Sequence, residues 1–126
     1  MAAFHFLFNL YARWQIPLFL IGWIGISLAT LLPAEQLPSA PGSDKLHHVL
    51  GFAAWAIMPA AGDFRRFSFI CLFIAFWGGV IEVIQPYVNR YGEWADFAGD
   101  LLGVTIVFLL VLLIRKYPLI KRPHQA

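Results

Sequence analysis

The sequence predicts an all-α fold: a bundle of four membrane-spanning helices with an N-terminal interfacial segment. Three observations predict it. Hydrophobic residues make up 60% of the 126 and charged residues only 13%, with a mean hydropathy of +0.72; a soluble domain is about 45–50% apolar and about 25% charged. The apolar residues fall into four runs, at roughly 16–32, 45–61, 67–88 and 94–114, near the ~20 residues that cross a ~30 Å hydrocarbon core. Short stretches of proline, glycine or charge separate the runs. Together they leave room for one transmembrane domain, 1–126, and exclude a soluble module.

Residues 4–14 place Phe4, Phe8, Tyr11 and Trp14 at helical spacing. Amphipathic aromatics suit a membrane–water interface, so this stretch reads as an interfacial helix leading into the first span. That span, 16–32, contains Ser27-Leu28-Ala29, which weakly resembles a signal-peptidase site. The preceding region holds a single Arg and three more apolar runs follow, so the segment reads as retained. Residues 33–43 carry three prolines and a glycine and form a loop, with Ser43 or Asp44 placed to cap the next helix. The second span, 45–61, is rich in small residues that let helix backbones approach closely, which places it centrally in the bundle. Asp63, Arg65 and Arg66 make a tight turn. The third span, 67–88, stays apolar until Glu82; Gly78-Gly79 suits close packing or a bend, and Pro86 kinks or ends the helix. In the fourth, 94–114, Gly99 and Gly103 form a G-x-x-x-G packing pair. Cys71, the single cysteine, excludes an internal disulfide and reads as a small segment residue.

Four spans put Arg13, Arg65, Arg66, Arg115, Lys116, Lys121 and Arg122 on one side and Lys45 and Arg90 on the other. Cytoplasmic loops collect Lys and Arg, so both termini are expected in the cytoplasm. The basic tail suits an anionic leaflet, not nucleic acid.

The outer end then holds an unusual set of polar residues. Asp44 and His48 are four apart on the second span, Glu82 and Gln85 three apart on the third, and Asp96, Asp100 and Gly103 follow i, i+4, i+7 on the fourth. Each set shares a helix face. Ionisable groups at such depth are costly unless they turn toward one another. Lys45 and Arg90 are the expected partners of Glu82, Asp96 and Asp100, and the surplus of acid calls for retained protons or for a cation or basic ligand.

Three chemistries fit. The residues could be a register-fixing network. They could bind a lipid or precursor headgroup through Lys45, Arg90 and His48. They could be catalytic on a lipid-linked phosphate, with His48 as acid/base and Asp44 orienting it. Asp44, His48, Glu82 and Asp96 have ligand atoms for a hard or borderline ion, but the tight His or Cys spacing of a dedicated site is missing, so neither a metal nor a cofactor is expected. His47 reads as a neighbour on another face; His5 and His124 read as interfacial or solvated.

The order D44-K45-x-x-H48, E82-x-x-Q85, Arg90, then D96-x-x-x-D100-x-x-G103 resembles the VanZ-like family of small bacterial membrane proteins. The resemblance covers about residues 44–103. This chain departs from the family in carrying Asp100 where Asn is usual, and its loop from Gln85 to Arg90 is about one residue tighter. The resemblance implies a multi-pass protein of the bacterial inner membrane, with a link to teicoplanin resistance and no established reaction. Membrane lipids are the expected partners. Other membrane subunits are the alternative, with the chain as an accessory component of a larger complex.

Overall fold

The computed structural model describes residues 2–117. Among these the chain is all-α, with four helices and no strand: α1 (Ala2–Leu31), α2 (Asp44–Ile57), α3 (Phe64–Ile84) and α4 (Trp94–Lys116). Short 3-10 turns occupy Ala34–Gln36 and Gln85–Val88. Three segments are long and apolar enough to cross a membrane: Ala2–Leu31, Phe64–Val88 and Trp94–Lys116. This is consistent with a multi-pass membrane protein.

Three boundaries differ from the sequence reading: α3 starts at Phe64, so Arg65 and Arg66 lie in its first turn and not in the turn before it, and two further differences concern α1 and α2. No break separates residues 4–14 from 16–32; one helix of 30 residues runs through Pro17. A long apolar helix tolerates the single hydrogen bond that proline removes. The second run is helical only to Ile57. Around Pro59 the pattern tightens: Met58 N–H bonds Trp55 O at 3.2 Å, Ala60 N–H bonds Ile57 O at 3.0 Å, and Gly62 N–H bonds Pro59 O at 3.3 Å. The 14 residues of α2 therefore reach only about 21 Å as helix.

Helix ends follow their local chemistry. Ser43 accepts from Leu46 N–H and caps α2; Asp63 accepts from Arg66 N–H and caps α3, each at 3.2 Å. Pro86 converts the end of α3 to a 3-10 turn, which closes on Asn89 in the left-handed region at φ 59°. Beyond it, a Cβ on Gly92 would fall 2.5 Å from the Glu82 carbonyl oxygen. Glycine there lets the chain fold tightly over the end of α3.

The segments 44–62 and 93–115 lie side by side, in contact at both ends. At one end Lys45 meets Glu93 and Asp96. At the other, Arg115 donates to the carbonyls of Ala60 and Gly62. Between them the backbones press together. A Cβ on Gly103 would overlap the Val49 carbonyl oxygen and lie 2.9 Å from Ala53 N, while one on Gly99 would sit 3.3 Å from the Lys45 carbonyl.

The core draws on Phe52, Trp55 and Ala56 of α2, Phe67, Cys71, Ile74 and Ile81 of α3, and Val104 and Val107 of α4. α1 is fastened on by two indoles. Trp55 Nε1 donates to Phe19 O, and Trp77 Nε1 donates to Ser27 Oγ, both at 3.0 Å. The outward residues, such as Phe69, Leu72 and Phe76 of α3 and Leu102, Ile106 and Leu109 of α4, are large, apolar and exposed, as a lipid-facing surface requires. Lys121, Arg122 and His124, assigned from sequence to a basic tail, lie outside the described residues.

Candidate functional site

The polar residues converge where the start of α2, the end of α3 and the start of α4 meet. His48 lies one turn into α2, Glu82 in the last turn of α3, and Asp96 and Asp100 in the first two turns of α4. All four are buried, with Asp100 at 0% and Asp96 at 2% relative exposure. The i, i+4 spacing turns both aspartates of α4 toward α2. Gly78 of α3 makes room for the deeper one, since a Cβ there would come within 2.8 Å of Asp100 Oδ2.

His48 Nδ1 lies 2.7 Å from Asp100 Oδ1. This replaces the expected orientation of His48 by Asp44. Asp44 opens α2 and is exposed, so Asp100 instead holds the ring from the adjacent helix. A histidine fixed in this way presents its remaining nitrogen in a defined direction, as an acid, a base or a metal ligand.

The expected cation–acid pairings are redistributed. Lys45 Nζ is 2.9 Å from Glu93 Oε2 and 3.3 Å from Asp96 Oδ1, so an exposed Lys45–Glu93 pair at the rim covers the buried Asp96. Glu82 meets neither cation. Its Oε2 accepts the Glu93 backbone N–H at 2.7 Å, stitching the loop before α4 to the end of α3. Arg90 Nη1 donates to Leu32 O at 3.1 Å, satisfying a carbonyl left open where α1 ends. Gln85 Nε2 likewise turns to α1, reaching Thr30 O at 3.2 Å. Gln85 and Arg90 therefore tie α1 to the bundle, and Arg90 forms no ion pair with the acids among the described residues. Glu93, which the sequence reading does not single out, enters the site through both its side chain and its N–H. His47 Nε2 meets Pro41 O at 2.7 Å on the loop.

Two adjoining cavities open over this cluster. An outer one of about 700 Å³ is walled by the 34–40 loop and includes Glu35, Asp44, Asn89, Arg90, Glu93 and Asp96. An inner one of about 310 Å³ reaches His48, with Ile26, Ala29 and Phe52 among its walls. Asp44, His47 and Arg90 line both. The mouth thus carries four carboxylates, two of them paired with Lys45, and one guanidinium, and the inner wall adds apolar surface at Ile26, Ala29 and Phe52. Separately, one ligand atom each from Asp44, His48 and Asp96, and one each from His48, Glu82 and Asp100, fall within 4.8 Å of one another.

Comparison with protein-family models, curated proteins and solved structures finds no match to this chain.

Proposed function

We propose that the chain is a VanZ-like protein of the bacterial inner membrane. In this reading it crosses four times with both termini in the cytoplasm, and its outward cavity binds the headgroup of an envelope lipid or lipid-linked precursor. The carrying observation is the cavity itself, polar at the mouth and largely apolar deeper in, at Ile26, Ala29 and Phe52, as an amphiphile requires. The fourth crossing is the 44–62 segment, which contacts α4 near both of its ends. Support for the orientation comes from Arg13, Arg65, Arg66, Arg115 and Lys116 against Lys45 and Arg90.

The charge of the mouth selects among headgroups. Lys45 and His48 are engaged by acids, so they are poor anion receptors. Glu93 and Asp96 already meet Lys45, so Glu35 and Asp44 suit an amine, and Arg90 suits a phosphate on the same molecule. A zwitterionic, amine-bearing headgroup satisfies both. Holding such a lipid would change its display on the outer surface, which is how the protein would lower sensitivity to a lipoglycopeptide such as teicoplanin.

Native mass spectrometry of detergent-purified protein tests this. An amine-bearing phospholipid or lipid-linked precursor should stay bound and be lost in Asp44→Asn and Arg90→Gln. Bare protein under the mildest detergent conditions, or lipid retained equally by both variants, would overturn the proposal.

A further inference from the structure

The innermost polar group has a composition that the headgroup reading does not use. Each of three helices contributes one side chain to it: His48 from α2, Glu82 from α3 and Asp100 from α4. Their exposures are 5%, 5% and 0%. Two carboxylate oxygens inside it, Glu82 Oε1 and Asp100 Oδ2, meet no hydrogen-bond donor among the described residues. Lys45 stays at the rim with Glu93 and Asp96, and Arg90 is turned to Leu32 O. Two buried carboxylates therefore face one imidazole, and unbalanced buried charge of this kind is costly.

We infer that His48, Glu82 and Asp100 form a binding site for one divalent transition-metal cation. Its two positive charges balance the negative charges of the two carboxylates when His48 is neutral. One imidazole with two carboxylates and no thiolate suits Zn²⁺ or Mn²⁺; Ca²⁺ asks for six to eight oxygens.

The ion takes the place of the proton shared by His48 Nδ1 and Asp100 Oδ1. Three metal–ligand bonds form, to His48 Nδ1, Asp100 Oδ1 and one oxygen of Glu82; the His48–Asp100 hydrogen bond breaks, the Nδ1 proton of the imidazolium leaves to solvent and the neutral ring keeps its Nε2 proton, so binding is coupled to proton release. The 2.7 Å separation of that pair widens to roughly 3.3 Å around a tetrahedral ion with bonds of about 2.0–2.1 Å. Access comes from the cavity. Asp44 and Asp96 offer oxygens to the same histidine at comparable spacing on that side, so an arriving ion meets ligands before it reaches the inner group. The site is independent of what the cavity holds.

The test uses full-length protein in detergent, stripped with a chelator and titrated separately with ZnCl₂ and MnCl₂. Bound metal is counted by elemental mass spectrometry and stability is followed by thermal melting. One equivalent should bind and raise the melting temperature. Glu82→Gln and Asp100→Asn should each weaken binding at least about tenfold, while His5→Gln, which removes an exposed histidine elsewhere, should not. Failure of either metal to bind at one equivalent, or binding untouched by Glu82→Gln and Asp100→Asn, would overturn the inference. A readout on the unaltered protein covers the case in which the variants do not fold. Pulsed electron paramagnetic resonance of the Mn²⁺-loaded protein should show coupling to one imidazole nitrogen, and a spectrum without nitrogen coupling would be decisive against the site.

Discussion

His48 and Asp100 form a buried pair, Nδ1 to Oδ1 at 2.7 Å, that joins α2 to α4 within the bundle. Only one oxygen of Asp100 is used; Oδ2 has no donor among the described residues. The side chain is therefore only half satisfied, and its two possible simplifications should behave differently.

Asp100→Asn keeps an acceptor for His48 and removes a buried charge. In chelator-treated protein it should melt at the same temperature as the parent or higher, since it removes the desolvation cost of a half-satisfied buried charge and still accepts from a neutral imidazole. Asp100→Ala removes the acceptor, leaves the imidazole unpaired and opens a void. It should lose about 3 kcal/mol, read as a lower melting temperature in the same detergent. Equal melting of the two variants would show that the pair contributes no stability.

Gly78 and Gly79 are adjacent, yet only one faces the site. A methyl group on Gly78 would press on Asp100 Oδ2 at 2.8 Å and on Phe52 at 3.2 Å, whereas one on Gly79 meets Phe97 at an ordinary 3.6 Å. Gly78→Ala should cost about 1–3 kcal/mol as overpacking, and Gly79→Ala should be neutral or slightly stabilising. Thermal melting separates them.

The same contrast applies along α4. Gly103 stands against the Val49 backbone, and backbone yields less readily than a side chain. Gly99 has its nearest neighbours at 3.3–3.5 Å. Gly103→Ala should therefore destabilise by about 1–3 kcal/mol and Gly99→Ala by clearly less, with denaturant titration in mixed micelles as the check. Comparable losses would mean that α2 and α4 are not in closest contact at Gly103.

Helix-face spacing made part of this site legible before any coordinates. Asp96 and Asp100 turn the same way because residues four apart on a helix must. Small residues in α2 and α4 announced a close contact, and Pro86 announced the end of α3. Pairing was less legible, since it depends on the relative height of neighbouring helices. That height is set by where Gly99 and Gly103 meet Lys45, His48, Val49 and Ala53, and it puts Asp100, not Asp44, level with His48. Backbone partners were not legible at all. Glu82 takes the Glu93 N–H and Arg90 takes the Leu32 carbonyl, and a backbone group leaves no mark in a pattern of side chains. The break after Ile57 had a visible cause in Pro59, but the surrounding apolar residues masked it.

Orientation gives the last prediction. Tyr91 stands 92% exposed in the loop that leads into the acidic end, and Arg65 is exposed beside the turn at the other. Cys71, the native cysteine, is buried, so a membrane-impermeant thiol reagent should meet little background. Gly92 is a poor labelling position despite its exposure, because any side chain there strikes the Glu82 carbonyl. With Lys and Arg favouring the cytoplasmic side, Tyr91→Cys should be labelled in intact cells or right-side-out vesicles, and Arg65→Cys only after permeabilisation. The reverse pattern would place the polar cavity on the cytoplasmic side, where an outer-leaflet headgroup could not reach it.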